Sequence, residues 1–68
     1  MVQTSRRREF ELWGRIAQSQ LAAVADLEAW GLWVAQNGTR LGECEQHNPI
    51  AYAELKEAIR VNSERVTK

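Results

Sequence analysis

The pattern in this sequence closest to catalytic or metal-binding chemistry is the pair Cys44 and His47, with Glu43 and Glu45 beside them. A tetrahedral zinc site needs four ligands, and a Cys-x-x-His pair supplies only two. Cysteine-based catalysis also needs a group that orients the histidine and donors for an oxyanion, and no such set accompanies the pair. The other acidic pairs have the spacing of ordinary helix surface charges. The sequence therefore predicts no catalytic residues, no metal site and no cofactor.

Arg6, Arg7 and Arg8 form the one compact basic cluster. Guanidinium groups suit carboxylate and phosphate oxygens, so this cluster is a candidate arm for holding an acidic partner. The whole chain, however, balances nine basic against nine acidic residues, with a pI of about 6.6. A dedicated nucleic-acid binder normally carries a basic surplus, because phosphate neutralisation supplies most of its affinity. Nucleic acid is thus disfavoured as a partner, and a regulator using two such clusters in a dimer is kept as the alternative.

The N-terminal half predicts one long helix from about residue 5 to residue 36. Its apolar residues recur every three or four positions, which is the helical period. The helix is predicted to end at Asn37-Gly38, where glycine readily takes the left-handed C-terminal conformation. A break near Gly14 or Ser19, giving three shorter helices, is the alternative. The residues of the apolar stripe are Phe10, Leu12, Trp13, Ile16, Ala17, Ala23, Val24, Leu27, Trp30 and Val34.

A second helix is predicted from about residue 49 to residue 66, after a loop over residues 37–48. Asn48 suits the capping position and Pro49 the first helical position. Tyr52, Leu55 and Ile59 continue the helical spacing. The predicted fold class is all-α: residues 1–68 form a single helix–loop–helix hairpin, with a long N-terminal and a shorter C-terminal helix.

The two predicted helices differ in length, and this difference predicts a dimer. At about 1.5 Å per residue, they measure roughly 47 Å and 27 Å, so the second reaches only to residues 17–20 of the first. Large apolar side chains beyond that point would stay in water, which costs about 1.5–3 kcal/mol each. A symmetric dimer forming a four-helix arrangement would cover them. The predicted dimer interface consists of Phe10, Leu12, Trp13, Ile16, Ala17 and Gln20. In a monomer the same apolar end would instead serve as the binding site of a structural assembly subunit.

Trp33 falls on the polar face of the long predicted helix, together with Arg15 and Asp26. Tryptophan is favoured at binding hot spots because it desolvates a large area at low conformational cost. We therefore predict that Trp33 contacts a target protein, the alternative being an ordinary contact with Leu41 or Tyr52. The complete predicted partner-binding set is Trp33, Leu32, Asp26, Arg15, Arg6, Arg7 and Arg8.

Size and composition limit the class of protein. A chain of 68 residues can build only a marginal core, and its single cysteine cannot form an internal disulfide, which favours the cytoplasm. No apolar run approaches the roughly 20 residues that span a bilayer, so no membrane role is expected. The sequence predicts a small non-catalytic regulator that binds as a homodimer to an unidentified protein target. Such properties are typical of bacteriophage accessory proteins that inhibit host factors or act as antirepressors.

Overall fold

The protein is all-helical over residues 2–67, the part that the computed structural model describes. Its four helices are α1 (Val2–Ala23), α2 (Leu27–Gln36), α3 (Gly38–His47) and α4 (Pro49–Thr67). Side chains are described from residue 6 to residue 67. The all-α prediction is confirmed, but four helices stand where the sequence predicted two.

The helices form three columns, with α2 and α3 sharing one of them. Asn48, which precedes α4, donates from Nδ2 to the Arg7 carbonyl at 3.0 Å, and Arg65 near the end of α4 donates to the Leu21 carbonyl at 3.1 Å. Helix α4 therefore runs parallel to α1. Helices α2 and α3 run antiparallel to α1. Trp33 of α2 stacks on Trp13 of α1, and Glu43, later in the chain, contacts Arg6 near the start of α1.

The predicted helix over residues 5–36 is interrupted at residues 24–26, and neither Gly14 nor Ser19 breaks it. Asp26 caps the new helix: its Oδ1 accepts from the Ala29 backbone N–H at 2.8 Å. On the other side of the break, Arg65 donates to the Val24 carbonyl at 2.8 Å. Backbone groups released at a helix end need such partners. The break lets α2 fold back on α1 and bury apolar surface that a straight helix would expose.

The predicted loop over residues 37–48 is largely helix α3. Asn37 joins α2 to α3, since its N–H donates to the Trp33 carbonyl at 3.1 Å and its carbonyl accepts from the Leu41 N–H at 2.9 Å. No glycine in the described residues has a positive φ, so α2 does not end in the predicted left-handed glycine. The Asn48-Pro49 start signal is confirmed: Asn48 Oδ1 accepts from the Ala51 N–H at 3.1 Å and α4 begins at Pro49.

The core consists of two connected clusters of buried side chains. One contains Ala17, Leu21, Trp33 and Leu55; the other contains Phe10, Cys44 and Ala51, and half-buried Trp13 packs against both. Phe10 is only 1% exposed, so the prediction that it lies beyond the cover of its own chain is wrong. Helix α3, which the sequence did not predict, supplies that cover through Cys44 and His47, whose ring stacks on Phe10 at 5.8 Å.

Candidate functional site: the exposed face of α1 and α2

Trp33 is part of the core, and its predicted exposed position is wrong. It is 9% exposed, and its ring stacks on Trp13 with the ring centres 6.3 Å apart. Its Nε1 donates to Gln20 Oε1 at 2.8 Å. A buried indole N–H needs an acceptor, and Gln20 provides it. This bond explains why the polar residue Gln20 lies among the apolar positions of α1. It also means that Trp33 is not available to contact a partner.

The other residues predicted to share a face with Trp33 lie apart. Asp26 caps α2, as described above. Arg15 pairs with Glu11 one turn away, with N and O 3.3 Å apart, on the side of α1 that borders α4. Leu32, in contrast, is 57% exposed. Of the predicted outer face, Leu32 is therefore the residue with an unpartnered apolar surface.

The three N-terminal arginines do not act as one cluster. Arg6 contacts Glu43 of α3 at 3.4 Å, and its guanidinium lies 5.6 Å from the centre of the Phe10 ring. Arg7 lies beside α4, where its carbonyl accepts from Asn48, whereas Arg8 is exposed. One arginine thus serves the fold, and the other two leave α1 in different directions.

The predicted dimer interface divides into buried and exposed residues. Phe10 and Ala17 are fully buried within the chain and cannot contact another copy, so their assignment to an interface is wrong. Trp13 is half-buried. Leu12 and Ile16 are 47% and 55% exposed, and Gln20 is also on the surface. These last three follow one another at intervals of four residues, which places them in one row along α1.

We define the α1–α2 face as Leu12, Ile16 and Gln20 of α1 with Leu32 and Gln36 of α2. The bond between Gln20 and Trp33 fixes α2 against this side of α1. Leu32 and Gln36 are exposed, one turn apart, and adjoin the row of Trp33. None of the five side chains is charged. Leu12, Ile16 and Leu32 are each about half exposed, so this face is an apolar surface that the fold leaves without a partner.

A groove with a volume of about 310 Å³ lies between α1 and α4. Charges of both signs line it, including Arg7, Glu11 and Glu54, and Ile50 lies among them at 64% exposure. The Arg15–Glu11 pair already satisfies part of this charge. The groove therefore offers less apolar contact than the α1–α2 face and has no charge of a single sign for a ligand.

Cys44 and His47 lie one turn apart on α3 but perform packing. Cys44 is fully buried, and removal from water raises the pKa of its thiol, which disfavours the reactive thiolate. His47 stacks on Phe10, and Glu43 is held by Arg6. Within residues 2–67, no group of three or more metal-ligating side chains comes together. The pair therefore offers no reactive nucleophile.

The row that supplies the α2 part of the α1–α2 face, and continues beyond it at both ends, was not predicted from the sequence. Glu28, Leu32, Gln36 and Arg40 are exposed and spaced four residues apart. This spacing is visible in the sequence, but the predicted loop after residue 36 separated Arg40 from the other three. The helical hydrogen bonds through Asn37 restore the connection.

Comparisons with known proteins supply no relative: no family model, curated protein or solved structure matches this chain. Within the described part of the chain, none of the helices combines the length and the apolar character that a bilayer crossing requires.

Proposed function

We propose that this chain is a small non-catalytic regulator that binds a target protein through the α1–α2 face. Its action is steric: the rigid helical surface covers a site on the target and keeps other partners away. The observation that carries the proposal is the exposure of Leu12, Ile16 and Leu32, at 47%, 55% and 57%, on one uncharged surface. The proposal keeps the cytoplasmic location that the single cysteine favours.

The core and this face differ in how their apolar side chains are covered. The chain buries Phe10, Leu21, Trp33 and Leu55 in contacts of its own, so it has apolar residues to form a core without exposing others. Burying one large aliphatic side chain contributes about 1.5–3 kcal/mol. Three side chains about half exposed therefore hold several kcal/mol of free energy that only another molecule can release. Central apolar contacts with a polar rim are typical of binding hot spots.

The two alternatives from the sequence receive less support. The hypothesis of a nucleic-acid-associated regulator requires Arg6, Arg7 and Arg8 to bind phosphate together, whereas Arg6 is paired with Glu43. The assembly-subunit reading needed an exposed Phe10, which is buried. An assembly role would therefore have to use the same α1–α2 face as the regulator.

The test compares face variants with a matched surface control. Immobilised wild-type chain, Ile16→Asp, Leu32→Asp and Val61→Asp are exposed to lysate of the native host, and retained proteins are identified by mass spectrometry. Val61 is 45% exposed on α4, outside the face, so its variant adds the same charge elsewhere. We expect a protein retained by the wild type and Val61→Asp and lost with both face variants. Equal retention by all four chains, or retention of no protein, would overturn the proposal.

A further inference from the structure

We propose that a second copy of this chain occupies the α1–α2 face, antiparallel to the first about a twofold axis beside Ile16. This inference rests on the binding face assigned above and names an occupant for it. A second copy and a target protein would compete for one surface, so dimerisation would hold the regulator in an inactive reserve. The sequence predicted a dimer as the target-binding form. The dimer proposed here keeps Leu12, Ile16 and Gln20 of the predicted interface, adds Leu32 and Gln36, and covers the target-binding face instead of presenting it.

The first support is the order of side chains along the column of α2 and α3. Glu28, Leu32, Gln36 and Arg40 repeat at intervals of four, with the acid at one end and the base at the other. The Arg40 guanidinium lies 5.6 Å from the centre of the Trp13 ring. Trp13 belongs to α1, so Arg40 lies on the side of its column that faces α1, where the α1–α2 face begins.

The second support is that this order complements itself when reversed. An antiparallel twofold arrangement sets Glu28 of one copy opposite Arg40 of the other, and it does so twice. The midpoint of the row then falls between Leu32 and Gln36. On α1, the midpoint between Leu12 and Gln20 is Ile16. Trp33 contacts both Trp13 and Gln20, so the two midpoints lie at a similar height, and one twofold axis can pass through both. A twofold axis along the helices would instead oppose Glu28 to Glu28 and Arg40 to Arg40.

Neighbouring charges leave this complementarity in place. At the basic end Arg8 is exposed in the same turn as Glu9, and the two offset each other. At the acidic end the Asp26 carboxylate adds negative charge beside Glu28, and Arg65, which donates to the nearby Val24 carbonyl at 2.8 Å, offsets one of these two carboxylates. The net pattern is an acidic end, an uncharged centre and a basic end.

The size of the face suits a weak dimer. The molecule measures 44 × 17 × 14 Å. A row of 12 residues is about 18 Å long, and two packed helices lie about 8–10 Å apart. A contact of these dimensions buries several hundred Å² over the two copies, which is below the size of stable specific interfaces. We therefore expect weak association, in which monomer and dimer exchange between micromolar and millimolar concentrations.

The test is sedimentation equilibrium from about 1 µM to 1 mM, with helix content of each variant checked by circular dichroism. We expect concentration-dependent dimerisation of the wild type and Val61→Asp, and at least about a hundredfold weaker association of Ile16→Asp. Arg40→Glu and Glu28→Lys should each weaken association about tenfold, because two ion pairs become two repulsions. The double variant should return to within about threefold of the wild type, although it lacks the Arg40–Trp13 contact.

Each outcome separates this inference from the proposed function. A wild-type chain that is monomeric up to 1 mM overturns the second copy, whereas retention of a target through the face would still support the regulator. Dimerisation that Ile16→Asp does not weaken overturns the face as the interface. Dimerisation without rescue in the double variant overturns the antiparallel arrangement. Retention of no protein by the wild-type chain, together with dimerisation that the double variant restores, would overturn the proposed function alone.

Discussion

Asn48 connects three elements of the fold, and its replacement gives the sharpest test of the packing. It is 5% exposed, caps α4 through Oδ1 and ties the start of α4 to the Arg7 carbonyl of α1 through Nδ2. Its backbone N–H also donates to the Cys44 carbonyl of α3 at 2.8 Å. Loss of a helix cap costs about 1 kcal/mol. Loss of a buried hydrogen bond costs about 1 kcal/mol more. Asn48→Ala should therefore lower the free energy of unfolding by about 2 kcal/mol, and Asn48→Ser, which retains a capping oxygen, by about half of that.

The assay is urea unfolding followed by circular dichroism, with thermal unfolding as a second measurement. For a domain of this size, 2 kcal/mol corresponds to a fall in Tm of roughly 8–16 °C. Asn62→Ala is the matched control, because Asn62 Nδ2 donates to the Ala58 carbonyl within its own helix. Asn62 is half-buried and its Oδ1 accepts from Arg65 Nε at 3.0 Å, so we expect the control to lose about 1 kcal/mol, about half of the loss for Asn48→Ala. A loss for Asn48→Ala no larger than for Asn62→Ala would refute the role given to Asn48.

Three further predictions test other parts of the fold. Trp33→Phe keeps a ring in the core but removes the donor to Gln20, so the free energy of unfolding should fall by about 1–3 kcal/mol in urea titrations; an unchanged midpoint would contradict the bond. Gly14→Ala should raise it by about 0.5–1 kcal/mol, because the added Cβ would lie 3.8 Å from Ala51 Cβ, an ordinary contact, and alanine favours helix; destabilisation would mean that the helices lie closer. The raised pKa of Cys44 predicts stability that is complete below the ordinary thiol pKa of 9.0 and is lost as the pH rises through the higher folded value, since the unfolded thiol ionises first; Cys44→Ala should lack this alkaline loss, and identical alkaline profiles for the two chains would count against it.

Several local features could be predicted because they depend on neighbouring residues alone. Asn48-Pro49 marks the start of α4 through a side-chain acceptor and a fixed φ, and both act within one turn. Asp26 carried a similar capping signal, but the apolar spacing ran through it and a continuous helix was preferred. Residues 38–47 of α3 carry two glycines and few apolar side chains, so their helix depends on packing around Cys44 and Leu41.

The exposed face was predicted in part. Leu12, Ile16, Gln20 and Leu32 were all named as contacts for another chain, and each is on the surface. They were assigned to two separate surfaces, however, because one helical wheel was applied through residues 24–26. The chain reverses direction between α1 and α2, so the helical angles of α1 do not continue into α2. Helix α2 therefore exposes a different side to solvent from the one that a straight helix would expose.

The sequence by itself determined that the chain is helical and where α4 begins. These properties follow from backbone preference, capping and the identity of side chains, which do not depend on distant contacts. Only the tertiary structure decided that Trp33 and Phe10 are buried and that Leu12, Ile16 and Leu32 share a face. Those outcomes depend on where the chain reverses, because a helical period fixes angles within one helix and says nothing of its rotation against the next.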